Sequence, residues 1–154
     1  MGTRGVLVIA GALSVAMFIA GCGGGDSSSD STISKAVFIK KADAICKASI
    51  ERIETSFISY LRKSGGGTHP GKAAEEELVG KVLVPSVQRE VKELRALGAP
   101  SGDEDRVDAI VEALEEGAET AESDPAAVTS SSEVVFGIAS RLAKEYGLEA
   151  CGSR

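Results

Sequence analysis

The chain has no tryptophan, a single histidine and two methionines, and aromatic residues fill only 4% of its 154 positions. Any core must therefore be built from Val, Ile, Leu and Ala. One histidine leaves no second imidazole for a metal centre, which draws on several ligands. It also leaves a Ser/His nucleophile pair almost unsupported, and no G-x-S-x-G turn occurs. Basic residues are not in excess: 17 Lys and Arg face 23 Asp and Glu, for a net charge of −6. That balance argues against a nucleic-acid partner, which needs a basic face. There is no Cys-x-x-Cys and no internal repeat. No strand pattern competes with helix, since the Val82-Leu83-Val84 run is short and precedes a proline.

What is present begins with a targeting pattern. Arg4 supplies a positive start, and Val6 to Ile19 is a 14-residue apolar run. That is the length of a signal h-region and short of the ~20 residues of a membrane span. Ile19-Ala20-Gly21-Cys22 then resembles the lipobox of bacterial lipoproteins: an aliphatic residue, two small ones and a cysteine. The resemblance implies a thioether from Cys22 to diacylglycerol, with cleavage leaving Cys22 as the new N-terminus. The alternative is an uncleaved membrane anchor with a chance cysteine. Both place the remainder outside the cytoplasm, because Arg4 stays inside. Gly23 to Ser31 (GGGDSSSDS) reads as a flexible tether with a reach of roughly 15–18 Å. The expected organisation is a signal peptide over 1–21, a lipidated cysteine and tether over 22–33, and a helical domain over 34–154.

Apolar residues in that domain recur at helical spacing. The first helix starts at a Ser34 cap and carries Phe38, Ala42, Ile45, Ile50, Ile53, Phe57 and Leu61, ending before Gly65-Gly66-Gly67. The second runs from about Ala73 to Leu97, and Pro85 inside it is expected to kink or split it. Ser101 with Glu104 reads as a capping box for the third, with Val107, Ile110, Val111, Leu114, Ala118 and Ala121 on one face. Asp124-Pro125 breaks that helix. The last carries Val135, Ile138, Leu142 and Tyr146, has Ser130 and Glu133 as its expected cap, and ends on Gly147-Leu148. The predicted fold is all-α: a small up-down bundle of about four helices.

Lipidation consumes one of the three cysteines. Cys46 and Cys151 remain, an even pair in an oxidising compartment. An up-down bundle returns the end of its last helix to the start of its first, so a disulfide is expected; two free buried thiols are the alternative. Phe38 to Cys46 (FIKKADAIC), Leu94 to Val107 (LRALGAPSGDEDRV) and Leu142 to Gly152 (LAKEYGLEACG) resemble a group of small helical lipoproteins of uncharacterised function from high-GC bacteria. That resemblance implies the helical fold and the Cys46–Cys151 pair, and no activity.

Several constellations fall away. Gly66 to Lys72 (GGTHPGK) meets the first positions of a phosphate-binding loop, but Ala73 stands where Ser or Thr should bind Mg²⁺, and the loop follows a helix. His69 reads as a solvated loop residue. Asp103, Asp105 and Asp108 lack the EF-hand spacing. Glu75, Glu76 and Glu77 sit at a helix start, where negative charge suits the dipole. One feature is less bland. Asp108, Glu112, Glu115, Glu119 and Glu122 step by four, three, four and three, which aligns five carboxylates on one helix stripe. It is expected to be a solvated face, or else a docking stripe for a basic envelope partner. The functional expectation is a membrane-anchored, extracytoplasmic, non-enzymatic interaction or structural module, needing no cofactor and held to membrane lipid through Cys22. The alternative is a lipoprotein binding a small apolar ligand between its helices. The two differ inside, because a binder needs a cavity.

Overall fold

The computed structural model describes residues 33–63 and 70–153. The expected signal peptide over 1–21, the expected lipidation site Cys22 and tether as far as residue 32, and His69 lie outside the described residues. Ile33 already packs against the core, just ahead of the domain start expected at residue 34.

Helix α1 spans Lys35–Lys63. Ser34 caps it as expected: the Val37 amide donates to Ser34 Oγ at 3.4 Å and the Phe38 amide to the Ser34 carbonyl at 2.8 Å. Its buried positions are Phe38, Ala42, Cys46 and Ser49, after which burial stops although the helix continues.

Helix α2 (Lys72–Leu78) runs through a π-helical turn (Val79–Leu83) into α3 (Val84–Leu97). Pro85 was expected to kink or split this element, and the α-helix is divided just before it, the two parts joined by the π-helical turn. Pro85 offers no amide and its ring crowds the preceding turn, so the extra residue of a π-turn re-spaces the carbonyls just before it. The Val84 amide accordingly bonds five residues back, to the Val79 carbonyl. Pro85 then occupies the first turn of α3, where an amide has no helical partner in any case.

Helix α4 covers Glu104–Ser123. The capping box expected from Ser101 does not form. Pro100 to Asp103 closes a turn, with the Asp103 amide on the Pro100 carbonyl at 3.0 Å and Gly102 at φ +83°. Asp103 becomes the N-cap, and the Glu104 carboxylate reaches back to the Gly102 amide at 2.7 Å. Asp124-Pro125 ends α4 as read and also opens a short helix, α5 (Pro125–Ser130), which the sequence reading did not foresee. Helix α6 (Ser132–Tyr146) is capped by Ser131, one residue beyond the expected Ser130. It ends as expected: Gly147 takes φ +102°, the Leu148 amide bonds the Ala143 carbonyl at 2.8 Å, and Leu148 is buried. A 3₁₀ turn, Cys151–Ser153, closes the described chain.

The result is an all-α bundle. Helix α1 packs on α3, α3 on α4, and α4 on α6, and the C-terminal turn returns to α1 and α6. Phe38, Leu94, Leu114 and Leu148 fill its centre with Val87 and both cysteines. Gly117 lets α4 approach α6, for a Cβ there would stand 2.5 Å from the Phe136 ring. No helix among the described residues is long and apolar enough to cross a membrane.

Candidate functional site

Chain return is fixed first. Cys46 and Cys151 form a disulfide with their Cα atoms 5.1 Å apart, closing a separation of 105 residues. Beside it, Asp43 accepts the Ala150 amide at 2.9 Å and the Glu149 amide at 3.3 Å. A helix side chain thus satisfies two amides of a loop that has no helix of its own.

At the start of α1 a second lock forms. The Tyr146 hydroxyl donates to Asp103 at 2.9 Å, and Lys35 Nζ lies 3.2 Å from the same carboxylate oxygen. Lys35 also stands 4.2 Å from the Tyr146 ring centroid, with Arg106 at 5.1 Å. The hydrogen bond from Tyr146, with Lys35 and Arg106 nearby, holds the Asp103 carboxyl below its usual range. Burial, reinforced by Asp103, pushes the Tyr146 phenol up to about 12. This cluster ties α1, α4 and α6 together and is a structural device.

The acidic stripe lies along α4 as read, with Asp108, Glu112, Glu119 and Glu122 exposed and Glu115 half-buried. It is not left to repel itself. Arg95, on α3, grips Glu115 with two parallel bonds of 3.0 and 2.6 Å. Glu115 first, then Asp108 and Glu112, raise the Arg95 guanidinium above its ordinary value. Lys92 and Arg95 line the same shallow hollow as Glu115, Glu119 and Glu122. The stripe therefore meets cations across the α3–α4 interface that helix spacing alone did not reveal.

The feature with the shape of a binding site lies elsewhere. Beyond Ser49, α1 keeps presenting large apolar residues without a full partner. Phe57 is 37% exposed and Ile58 49%. Ile53 and Phe57 line a hollow of about 300 Å³ with Leu78, Val79, Val82 and Leu83. Ile53 and Leu83 also line a neighbouring hollow of about 430 Å³ that reaches Ile50, Val87 and Phe136. Sharing Ile53 and Leu83, the two hollows adjoin along the second half of α1 and the π-turn, the first bordered by Thr129 of α5 and the second by Phe136 of α6, and together they make up a mostly apolar groove. Glu75 is the only charged residue lining the first hollow and Glu54 the only one lining the second, among the described residues. The Pro85-driven π-turn puts Val79, Val82 and Leu83 on the groove wall. At its far end the Tyr60 hydroxyl donates to Glu77 at 3.2 Å and Lys81 pairs with Glu77 at 2.5 Å, latching α1 to α2. That pairing with Lys81 lowers the Glu77 carboxyl.

Sequence reasoning placed Ile50, Ile53 and Phe57 on the core face, and the structure moves them to the groove. It also passed over Glu90, which is fully buried on α3 with Oε1 3.1 Å from Cys46 Sγ. The signal was present: Glu90 falls three residues after Val87 and four before Leu94, both on the buried face. No family model matches the chain, and neither a curated protein nor a solved structure does.

Proposed function

We propose that this protein is a membrane-anchored, extracytoplasmic lipoprotein and a non-enzymatic interaction module, whose groove receives an apolar segment of a partner protein that carries basic residues. The groove is the observation that carries this reading. Its walls are mostly aliphatic and aromatic, with Thr129, Ser132 and Ser153 at the edges, and among the described residues its only charges are the carboxylates of Glu75 and Glu54. A basic amphipathic helix matches both properties, since its apolar face fills a hydrophobic groove while its cations meet the acidic rim. The anchor half of the proposal rests on the lipobox-like stretch ending at Cys22.

The second reading, a small apolar ligand, is favoured by the groove's combined size, which suits a chain-like lipid. It is disfavoured by the filled centre of the bundle, where Phe38, Leu94, Leu114 and Leu148 are all fully buried.

An NMR titration separates the two. Three probes are used: an amphipathic peptide flanked by lysines, the same peptide flanked by glutamates, and a long-chain fatty acid. Shifts at Ile53, Phe57 and Leu83 with the lysine peptide alone, lost in Ile53→Asp, support the interaction module. Saturation of those residues by the fatty acid alone supports the ligand reading. Silence with all three overturns both.

A further inference from the structure

The fold gathers three metal-ligating side chains at one buried point that the groove does not use. Cys46 comes from α1, Glu90 from α3 and Cys151 from the C-terminal turn. Cys46 and Glu90 are 0% exposed and Cys151 is 1%. Their two sulfurs and one carboxylate oxygen lie within 4.8 Å of one another. In the disulfide neither sulfur carries a proton, so the 3.1 Å approach of Glu90 Oε1 to Cys46 Sγ is not a thiol hydrogen bond. The carboxylate instead borders the bond as a third donor group.

We infer that, once the Cys46–Cys151 bond is reduced, Cys46, Cys151 and Glu90 bind one thiophilic divalent cation of the zinc class. Thiolate and carboxylate oxygen are ordinary zinc ligands at ~2.3 and ~2.0–2.2 Å, which sets ligand atoms of a tetrahedron roughly 3.5–3.8 Å apart. The 4.8 Å envelope already holds all three. A fourth donor is at hand in the Ala42 carbonyl, 3.7 Å from Cys151 Sγ. Burial strengthens the preference, because free thiolates are costly in an apolar interior and a dication offsets two of the three ligand charges. Soft sulfur ligands select zinc over magnesium or calcium.

The chemistry balances in two steps. A dithiol reductant delivers two electrons and two protons to the Cys46–Cys151 bond, giving two thiols, and is itself oxidised to a disulfide. Metal binding then displaces both thiol protons to solvent. The same sulfurs cannot hold the cation and each other, so the bundle has two exclusive closures at one point: a disulfide under oxidising conditions and a metal bridge under reducing ones.

The test uses the full chain, reduced with a phosphine under anaerobic conditions and titrated with Co²⁺ as a spectroscopic stand-in for zinc. The expected result is a thiolate-to-cobalt charge-transfer band that saturates at one equivalent and is displaced by Zn²⁺. It should be absent from the oxidised protein and from Cys46→Ser. Glu90→Gln should bind at least roughly tenfold more weakly, the lower bound for losing even an outer partner of a metal ligand. Far-UV circular dichroism covers the case in which the reduced chain unfolds. Recovery of helix with one equivalent of Zn²⁺ supports the site, and a reduced chain that stays unfolded overturns it. A folded, reduced protein without the band overturns it as well, and unchanged affinity in Glu90→Gln removes the three-ligand site.

Discussion

Gly117→Ala pits two opposing effects against each other at one atom. A Cβ built on Gly117 would stand 2.5 and 2.6 Å from two carbons of the Phe136 ring and 3.2 Å from the Val135 carbonyl oxygen. Carbon atoms in contact prefer ~3.5–4.0 Å, so α4 and α6 must separate by about 1 Å or the ring must leave its rotamer. Phe136 is 4% exposed and has little room to move. Forcing a methyl into such a site costs about 1–3 kcal/mol. Against this, alanine is a better helix former than glycine by ~1 kcal/mol. With two ring carbons in the way at 2.5 and 2.6 Å, the steric cost is expected in the upper part of that range, about 2–3 kcal/mol, which leaves a net loss of about 1–2 kcal/mol. Gly137→Ala is the control, because its Cβ would meet only Glu133 Cγ, at 3.7 Å; it should stabilise by up to ~1 kcal/mol. Urea unfolding of both variants measures the effect as a shift in midpoint at constant slope. Gly117→Ala/Phe136→Leu should recover part of the loss. A Gly117→Ala protein as stable as the wild type would refute the claim that this glycine sets the α4–α6 distance.

Removing the disulfide in Cys151→Ser releases a loop of 105 residues. It should lower stability by about 2–4 kcal/mol, toward the upper end for so long a loop; equal denaturation midpoints with and without reductant would rule this out. Tyr146 predicts a loss in alkali. Its folded value of about 12 lies above the unfolded 10.0, so its contribution is complete below pH 10 and lost between pH 10 and 12. Tyr146→Phe should flatten the wild-type fall across that window. The lowered Asp103 carboxyl acts at the other end: its contribution is present above pH 3.8 and is lost as pH falls through its folded value, which Asp103→Asn should abolish. For the proposed anchor, a fatty-acid probe should label the wild type and leave Cys22→Ala unlabelled; equal labelling of both would remove the lipoprotein reading.

What the sequence disclosed was whatever is local. The apolar steps from Val107 to Ala121 and the Gly147-Leu148 stop both depend on a single helix, and both stand in the structure. The Cys46–Cys151 bond followed from an even cysteine count and an up-down return. The π-turn was not legible, because the proline rule predicts a disturbed ladder and not which repair the chain adopts. The Arg95–Glu115 bridge and the groove were hidden for a different reason. Each depends on which helix lies beside which: Arg95 meets the stripe only because α3 packs on α4, and Ile53 and Phe57 stay partly open because α2 and the π-turn cover the second half of α1 only in part. Glu90 was legible in principle, as a carboxylate at an apolar position, and was overlooked because the apolar residues around it completed the pattern without it.

Helix α1 is built in two halves with opposite economies of burial. Its fully buried positions after Phe38 are small: Ala42, Cys46 and Ser49. Its large apolar residues past Ser49 remain half-buried or exposed, which forgoes part of the ~25 cal/mol per Å² that covering them would contribute. A chain shaped by stability alone would place these residues the other way round. The disulfide and the Asp43 clamp make the arrangement tolerable, since they fasten the first half independently of hydrophobic burial. The second half depends on the exposed Tyr60–Glu77–Lys81 latch and on partial contacts, and exposed ion pairs contribute only ~0–1 kcal/mol. The two halves should therefore open with different free energies although they share one helix. Native-state hydrogen exchange should find amides near Phe38 to Ser49 protected close to the global limit and those near Ile53 to Tyr60 exchanging far sooner. An occupant of the groove should slow the second group and leave the first unchanged. Uniform protection along α1 would mean that the helix is a single cooperative unit, and the groove would then be a shallow feature of a rigid surface with no reserve of exposed apolar area to offer a partner.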